Sequence, residues 1–331
     1  MNQTKLTSTK SELSASTKVS VLTFFHNERD NLPLLQSRIE SVLEKSSFDI
    51  EVILVDDASL DGSDQFARQW KSDKYQTKYI RFSRNFGSHA AITAGLQQCD
   101  GDCAVIMAAD LQDPPETIPD LVDEFRKGND VVWACRSDRL GETFFTKFTS
   151  GVYYQTMRRM GLPNMPPKGA DFLLISRKVI DAVNQHPEKH TSVLAMILWM
   201  GFKQSFIYYV KQARHAGTSK WTFSKKIKLF IDSIVSFSYV PIRLMSSLGL
   251  ALAMAGFLYA IVVFVSRLAG FVTTGTGFAA LMTVLLVGQG SILLTLGILG
   301  EYLWRAYDES RGRPRFIIDE VIKHESVSDR D

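Results

Sequence analysis

"CAVIMAADLQDPPE", residues 103–116, is the stretch on which the fold of this chain turns. Its opening residues, Cys103-Ala-Val-Ile-Met107, form a short apolar run of strand character. The run gives way to Asp110, Gln112 and Asp113, and Pro114 and Pro115 follow at once. A strand that merely turns at the surface can end in one acid. Two acids and an amide within four residues mark a place where something binds. Asp113 is placed to cap a helix and Pro114 to take its first position, where a missing N–H costs nothing. Behind them Ile118, Leu121, Val122 and Phe125 follow the i, i+3, i+4, i+7 spacing of a helix with one buried face.

The same strand–bend–helix unit recurs outward from that stretch. Residues 19–25 read as a strand before a helix carrying Leu32, Leu35, Ile39 and Val42. Residues 51–55 precede a helical stretch through Phe66 and Trp70. Residues 79–82 lead to Ser88, a helix cap, and a helix over 89–98; residues 130–135 are a fifth strand. Such alternation predicts an α/β domain, a mostly parallel sheet with helices on both faces. In these sheets ligands sit at the carboxyl ends of the strands. Here those ends carry His26-Asn27-Glu28, Asp56-Asp57, Ser83-Arg84-Asn85, Asp110-Leu111-Gln112-Asp113 and Arg136. Any one of them reads as a solvated turn; five on one rim predict a site.

No GxGxxG follows the first strand and no GxxxxGK[ST] occurs, which argues against dinucleotide and P-loop sites. The rim is instead acidic on its first, second and fourth strands. Carboxylates this dense repel one another unless a cation joins them, and oxygen-only ligands suit Mg²⁺ or Mn²⁺, which share their remaining positions with phosphates. The residues read as a metal–diphosphate site.

The net charge of +3 gives no reason to expect nucleic acid as a partner. Cys99, Cys103 and Cys135 have no zinc spacing and read as reduced core residues. Residues 1–18 are rich in Ser, Thr and Lys and form a flexible tail. Residues 248–265 and 278–300 carry no charge, and each approaches or exceeds the ~18 apolar residues of a membrane span. A transmembrane hairpin follows. Lys220, Lys225, Lys226, Lys228 and Arg243 precede it and Arg305, Arg311, Arg313 and Arg315 follow it, whereas the connecting loop has Arg267 alone. Both termini and everything before the first span are thereby expected in the cytoplasm. Ile227, Phe230, Ile231, Ile234 and Phe237 interleave with the lysines as in a helix lying on anionic lipid. Small glycine faces and Gln289 within the spans suggest a homo-oligomer.

"VDDAS" (55–59), "SRNFGSHAAITAGL" (83–96), "DLQDPPE" (110–116), "GADF" (169–172) and "GTSKWTFSKKIKLFIDS" (217–233) together resemble one family. It is the polyprenyl-phosphate glycosyltransferases: bactoprenol glucosyltransferases and, more distantly, dolichol-phosphate mannose synthases. The likeness runs from about residue 19 through "GEYLWRAYDESRGRP" (300–314).

The resemblance implies an inverting enzyme of GT-A fold, Rossmann-like, in the plasma (inner) membrane. It would move a hexose, glucose from UDP-glucose above all, onto the phosphate of undecaprenyl or another polyprenyl phosphate. Alternatives are another donor, GDP-mannose or a UDP-amino sugar, and a transferase-like membrane scaffold without catalysis. A tail (1–18), a GT-A domain (19–222), juxtamembrane amphipathic helices (223–243), two spans (244–304, about 246–266 and 278–303) and a cytosolic tail (305–331) complete the expected plan. By the same resemblance Glu28, Asp56, Asp57, Asn85, Gln112 and Arg136 bind the nucleotide sugar. Asp110 and Gln112 hold a divalent cation, Mg²⁺ or Mn²⁺, and Arg214 and Lys220 meet phosphates of donor or acceptor. Asp110 and Asp171 are the catalytic carboxylates, Asp171 near the sugar, and a tetramer is implied. Where the family often has Asp-x-Asp, the first position here is Ala108, and Phe24 replaces a proline after which the first strand commonly ends.

Overall fold

The computed structural model describes residues 17–137, 165–166, 171–186, 188–189, 191–212, 240–269 and 277–325, with single residues at 151, 155, 158, 159 and 235. It divides into two compact units, Met1–Lys226 with Pro314–Asp331, and Ile227–Arg313.

The first unit carries, in chain order, β1 (Lys18–Phe25), α1 (Leu32–Leu43), β2 (Asp49–Asp56), α2 (Ser63–Gln69), β3 (Gln76–Phe82), α3 (Ser88–Leu96) and β4 (Cys103–Ala108). A 3-10 turn (Pro115–Thr117), α4 (Ile118–Arg126), β5 (Val131–Arg136), β6 (Phe172–Ser176), α5 (Arg177–Gln185), α6 (Val193–Trp199) and β7 (Gln204–Tyr209) follow. The last strand, β8 (Ile318–His324), comes from the far end of the chain. The eight strands form one sheet in the order β7-β5-β6-β4-β1-β2-β3-β8. β6 and β8 run antiparallel to their neighbours and the other strands share one direction.

The near-continuous apolar strands are explained by burial on both faces. One face packs Val21, Val52, Leu54, Val105 and Leu174 against the apolar stripes of α1 and α4. The stripes are the expected ones, Leu32, Leu35, Ile39 and Val42 on α1 and Ile118, Leu121 and Val122 on α4, all buried. The other face carries Leu22, Ile53, Ala104 and Ile106, also buried, beneath α3 and α5. Asp113 departs from its expected role as a helix cap: α4 begins only at Ile118, behind the 3-10 turn. Ser88 likewise is the first residue of α3, preceded by Gly87 at φ +91°.

The parallel core β3-β2-β1-β4 reverses its winding at β1, since the chain moves outward to β2 and β3 and then returns to the other side of β1 as β4. A crevice therefore opens between the loops after β1 and β4, the usual ligand position of such sheets. β8 was read from the sequence only as part of a tail. It pairs with β3 over Thr77↔His324 to Phe82↔Ile318 and covers an edge that the first strands leave open.

The second unit contains α7 (Val240–Leu268) and α8 (Phe278–Ser310). Each holds a 27-residue segment long and apolar enough to cross a membrane, with mean hydropathy 2.5 and 1.7. Among the described residues, Phe257, Leu258, Phe264, Leu286 and Leu293 are some of the many exposed apolar side chains of these helices. Apolar surface on this scale needs a lipid or protein cover.

Candidate active site

The register of the sheet brings the strand ends to one rim. Phe25 lies opposite Asp56, Phe24 opposite Ala108, and Arg136 opposite Tyr209. Because β6 is antiparallel, its beginning lies on this rim: Phe172 pairs with Ala134, so Asp171 comes beside Arg136. Arg136 Nη2 donates to Asp171 Oδ2 at 3.0 Å. The arginine side chain is 18% exposed and the carboxylate 66%, so the pair has a covered cation and an open acid. Burial works against the Arg136 charge, but Asp171, Tyr209 and Asp113 outweigh it and raise its pKa.

The backbone of the rim is strained where it turns. Asn27, Ala58 and Leu111 have φ of 56°, 57° and 58°, and they are the non-glycine residues of positive φ among those described. They follow β1, β2 and β4 in turn. Left-handed backbone costs roughly 1–2 kcal/mol for an ordinary side chain, and such strain gathers at functional sites. Asn27 offsets part of that cost, because its Oδ1 accepts from Leu60 N at 2.8 Å.

Behind β2, Asp56 and Asp57 separate in role. Asp56 is fully buried; Ser59 N and Tyr79 Oη donate to it at 2.8 and 3.0 Å, and Arg81 lies 3.7 Å away. It ties the β2 and β3 ends together through these contacts. Asp57 accepts from the backbone N–H of Phe86 and Gly87 at 2.6 and 2.9 Å. Burial pushes its carboxyl up, and those two N–H groups hold it down. It therefore shapes the loop that carries Asn85, which is exposed. Glu28 is partly buried and accepts from Asn31 Nδ2 at 2.6 Å.

In the decisive loop, Gln112 N donates to Asp110 Oδ1 at 3.2 Å, a turn that fixes the carboxylate. Gln112 O accepts from Gln212 N at 3.0 Å. Asp113, by contrast, is buried and accepts from Tyr209 Oη. Burial pushes its carboxyl up, while Tyr209 and then Lys211 draw it back. Among the described residues no three His, Cys, Asp or Glu side chains converge as a metal cage. The rim offers one fixed carboxylate and an amide, a donor set that fits a hard cation whose other ligands come from phosphate. Arg214 and Lys220 lie outside the described residues.

Two participants were not visible in the sequence as site residues. Lys211 lies just past β7, near Asp110, Asp113 and Asp171. His89, in the first turn of α3, has a buried Nδ1 without a hydrogen-bond partner. Burial first, then Arg315, lower its pKa to about 4, against Asp171. Lys211 lies in none of the quoted motifs, and His89, though within residues 83–96, reads there only as a helix residue; the rim's assembly singles them out. A separate open cavity of about 530 Å³ is lined by Arg29, Asp30, Pro33, Gly62, Gln65, Phe66 and Gln69. It contains none of the rim acids discussed above.

Comparison with known proteins places the chain in a family. Residues 20–183 match the family model described as glycosyl transferase family 2. An uncharacterized glycosyltransferase, YkcC, of Bacillus subtilis is 36% identical over 306 residues, 92% of this chain and 94% of that protein. The bactoprenol glucosyl transferase of Shigella phage SfV is 31% identical over 301 residues, 91% of this chain and 98% of its own. Among solved structures, glucosyl-3-phosphoglycerate synthase of Mycobacterium tuberculosis superposes with a TM-score of 0.51 at 15% identity. That match covers 67% of this chain and 80% of the other, and shows a shared fold.

Proposed function

The chain belongs to glycosyl transferase family 2 and is a glycosyltransferase of GT-A fold, and from that premise we propose that it transfers a hexose, glucose from UDP-glucose in the first instance, to polyprenyl phosphate. Transfer takes place at the cytoplasmic leaflet of the plasma membrane. The observation that carries the reading is the meeting on one rim of Asp110, fixed by its own turn, with the Arg136–Asp171 pair. The bactoprenol glucosyl transferase name of relatives near 30% identity supports the lipid acceptor, as do two uncovered apolar helices.

A lipid phosphate oxygen is already anionic at neutral pH, so the attack needs no proton removed. The protein's tasks are alignment of that oxygen opposite the leaving diphosphate and stabilisation of the charge that develops there. Arg136 is the covered cation for the second task. Asp171, open and oriented by Arg136, faces sugar or acceptor. Asp110 and Gln112 would hold the divalent ion, Mg²⁺ or Mn²⁺, which when bound supplies further neutralisation of the diphosphate. Glu28 and Asn85 flank the nucleoside, with Asp57 setting the shape of the Asn85 loop. Arg214 and Lys220 meet phosphates of donor or acceptor, and the spans pack as a homo-oligomer.

The test is incubation of the full-length protein in membranes with radiolabelled nucleotide sugars and undecaprenyl phosphate, followed by lipid extraction. Label in the lipid phase from UDP-glucose is the expected result. Label only from another sugar would replace the donor, and label only in polymer would overturn the acceptor.

A further inference from the structure

Lys211 is placed by ties on both sides of it. Before it, Tyr209 Oη donates to Asp113; after it, Gln212 N donates to Gln112 O at 3.0 Å. Gln212 Oε1 also accepts from Arg38 Nη1 at 2.9 Å, and Arg38 in turn holds Glu116. The segment after β7 is thus laced along the acidic loop from its middle to its end, and Lys211 is fixed between the laces. It is partly buried and has no hydrogen bond and no ion pair within 4.0 Å among the described residues.

Burial and the nearby Arg136 both disfavour its charge, while Asp113, Asp110 and Asp171 attract it from a distance. Those acids have partners already: Asp113 has Tyr209, Asp171 has Arg136, and Asp110 has the Gln112 N–H. A lysine drawn out of water without a partner is unfavourable in the protein alone. An arriving anion would complete it. With Arg136 and the proposed cation-holding Asp110 both close enough to act on it, the anion that fits is a polyphosphate.

We propose that Lys211 is a donor-binding residue that contacts the diphosphate of the nucleotide sugar and receives the negative charge of the leaving group. This rests on the transferase reading above. In the step it serves, the lipid phosphate oxygen forms the new bond to the anomeric carbon. The bond from that carbon to the diphosphate oxygen breaks, its electron pair stays on the diphosphate, and no proton moves.

Calorimetric titration of the full-length protein with UDP and UMP, and with GDP and GMP, in Mg²⁺ tests it. The parent should prefer diphosphate to monophosphate. Lys211→Gln should lose about 10- to 100-fold in diphosphate affinity, the range of a charge-assisted hydrogen bond, with monophosphate affinity and melting temperature unchanged. Lys211→Arg should keep most of the preference. Unaltered diphosphate binding by Lys211→Gln overturns the proposal, and so does equal loss of both nucleotides. Normal nucleotide binding with a transfer rate that falls only for the lipid acceptor would assign Lys211 to the acceptor phosphate and overturn it as well. A parent that binds no nucleoside diphosphate would sink the transferase reading itself.

Discussion

Asp171 is held by Arg136, whereas Asp110 closes a turn on Gln112, and their substitutions should fail differently. Asp110→Ala should reduce transfer by at least about 100-fold and weaken donor binding in Mg²⁺ or Mn²⁺, the range of losing a group that orders charge at the reacting atoms. Unchanged turnover at saturating metal would move the ion elsewhere. Asp171→Asn should lower kcat by about 100-fold, the low end for an acid–base group because the nucleophile is already ionised, with donor KM little altered. Loss of KM in proportion would make it a binding residue. His89 gives a pH signature. Its ordinary value is 6.5 and its folded value about 4. Between the two the unfolded chain binds more protons, so His89 removes stability as pH falls through that window. His89→Gln should flatten the fall of melting temperature between pH 6.5 and 4; an unchanged slope would contradict the burial of its Nδ1.

Among the elements, α3 shows how a motif residue can serve packing and not chemistry. Gly95, inside "SRNFGSHAAITAGL", lies against Leu22 of β1, and a Cβ there would fall within the leucine side chain. Leu22 is fully buried, so Gly95→Ala should cost about 1–3 kcal/mol of stability, read by denaturant titration in detergent. A neutral result would mean that α3 can move off the sheet. The five sequence-read strands and the stripes of α1 and α4 were legible because period and polarity alternate cleanly there. β6 was not: its apolar run Phe172–Ser176 carries no period of its own, and its antiparallel direction depends on pairing between β4 and β5. β8 was hidden for another reason. Its pattern of alternating half-buried and exposed residues resembles any solvated strand or tail, and its partner is remote. The rim clusters were legible as a group, but not the division of labour within them. Asp56 and Asp113 look alike in sequence to the other rim acids, and only the fold shows that Tyr79 and Tyr209 donate to them.

For the whole molecule, β8 constrains the membrane path proposed above. The strands before and after the apolar helices share one sheet, so under the proposed membrane reading the chain leaves and returns on the same side, as a hairpin does. Cys99, Cys103 and Cys135 are free and buried, and burial pushes Cys99 up to about 12 and Cys135 up to about 11. They should react little with maleimide. Single cysteines introduced at Thr274 and Ser328 should therefore report opposite sides to an impermeant maleimide on intact cells, with Thr274 labelled and Ser328 protected. Labelling of both would reject the hairpin. Charge reversal of Lys225, Lys226 and Lys228 to Glu should slow transfer in anionic liposomes and spare nucleotide binding, since each cation near the surface contributes about 1 kcal/mol. Equal rates would make that stretch a solvated face. The same strand also sets a clock on biosynthesis. Arg68 and its partner Glu320 are 252 positions apart, and at ~5–20 residues per second a ribosome needs roughly 12 to 50 seconds to travel between them. For nearly all of that interval β3 has been made and β8, which pairs with its edge, has not. On the membrane reading proposed above, the nascent domain would wait on insertion of those helices for its own last strand, and a stalled insertion would leave an open edge for another nascent chain to pair with.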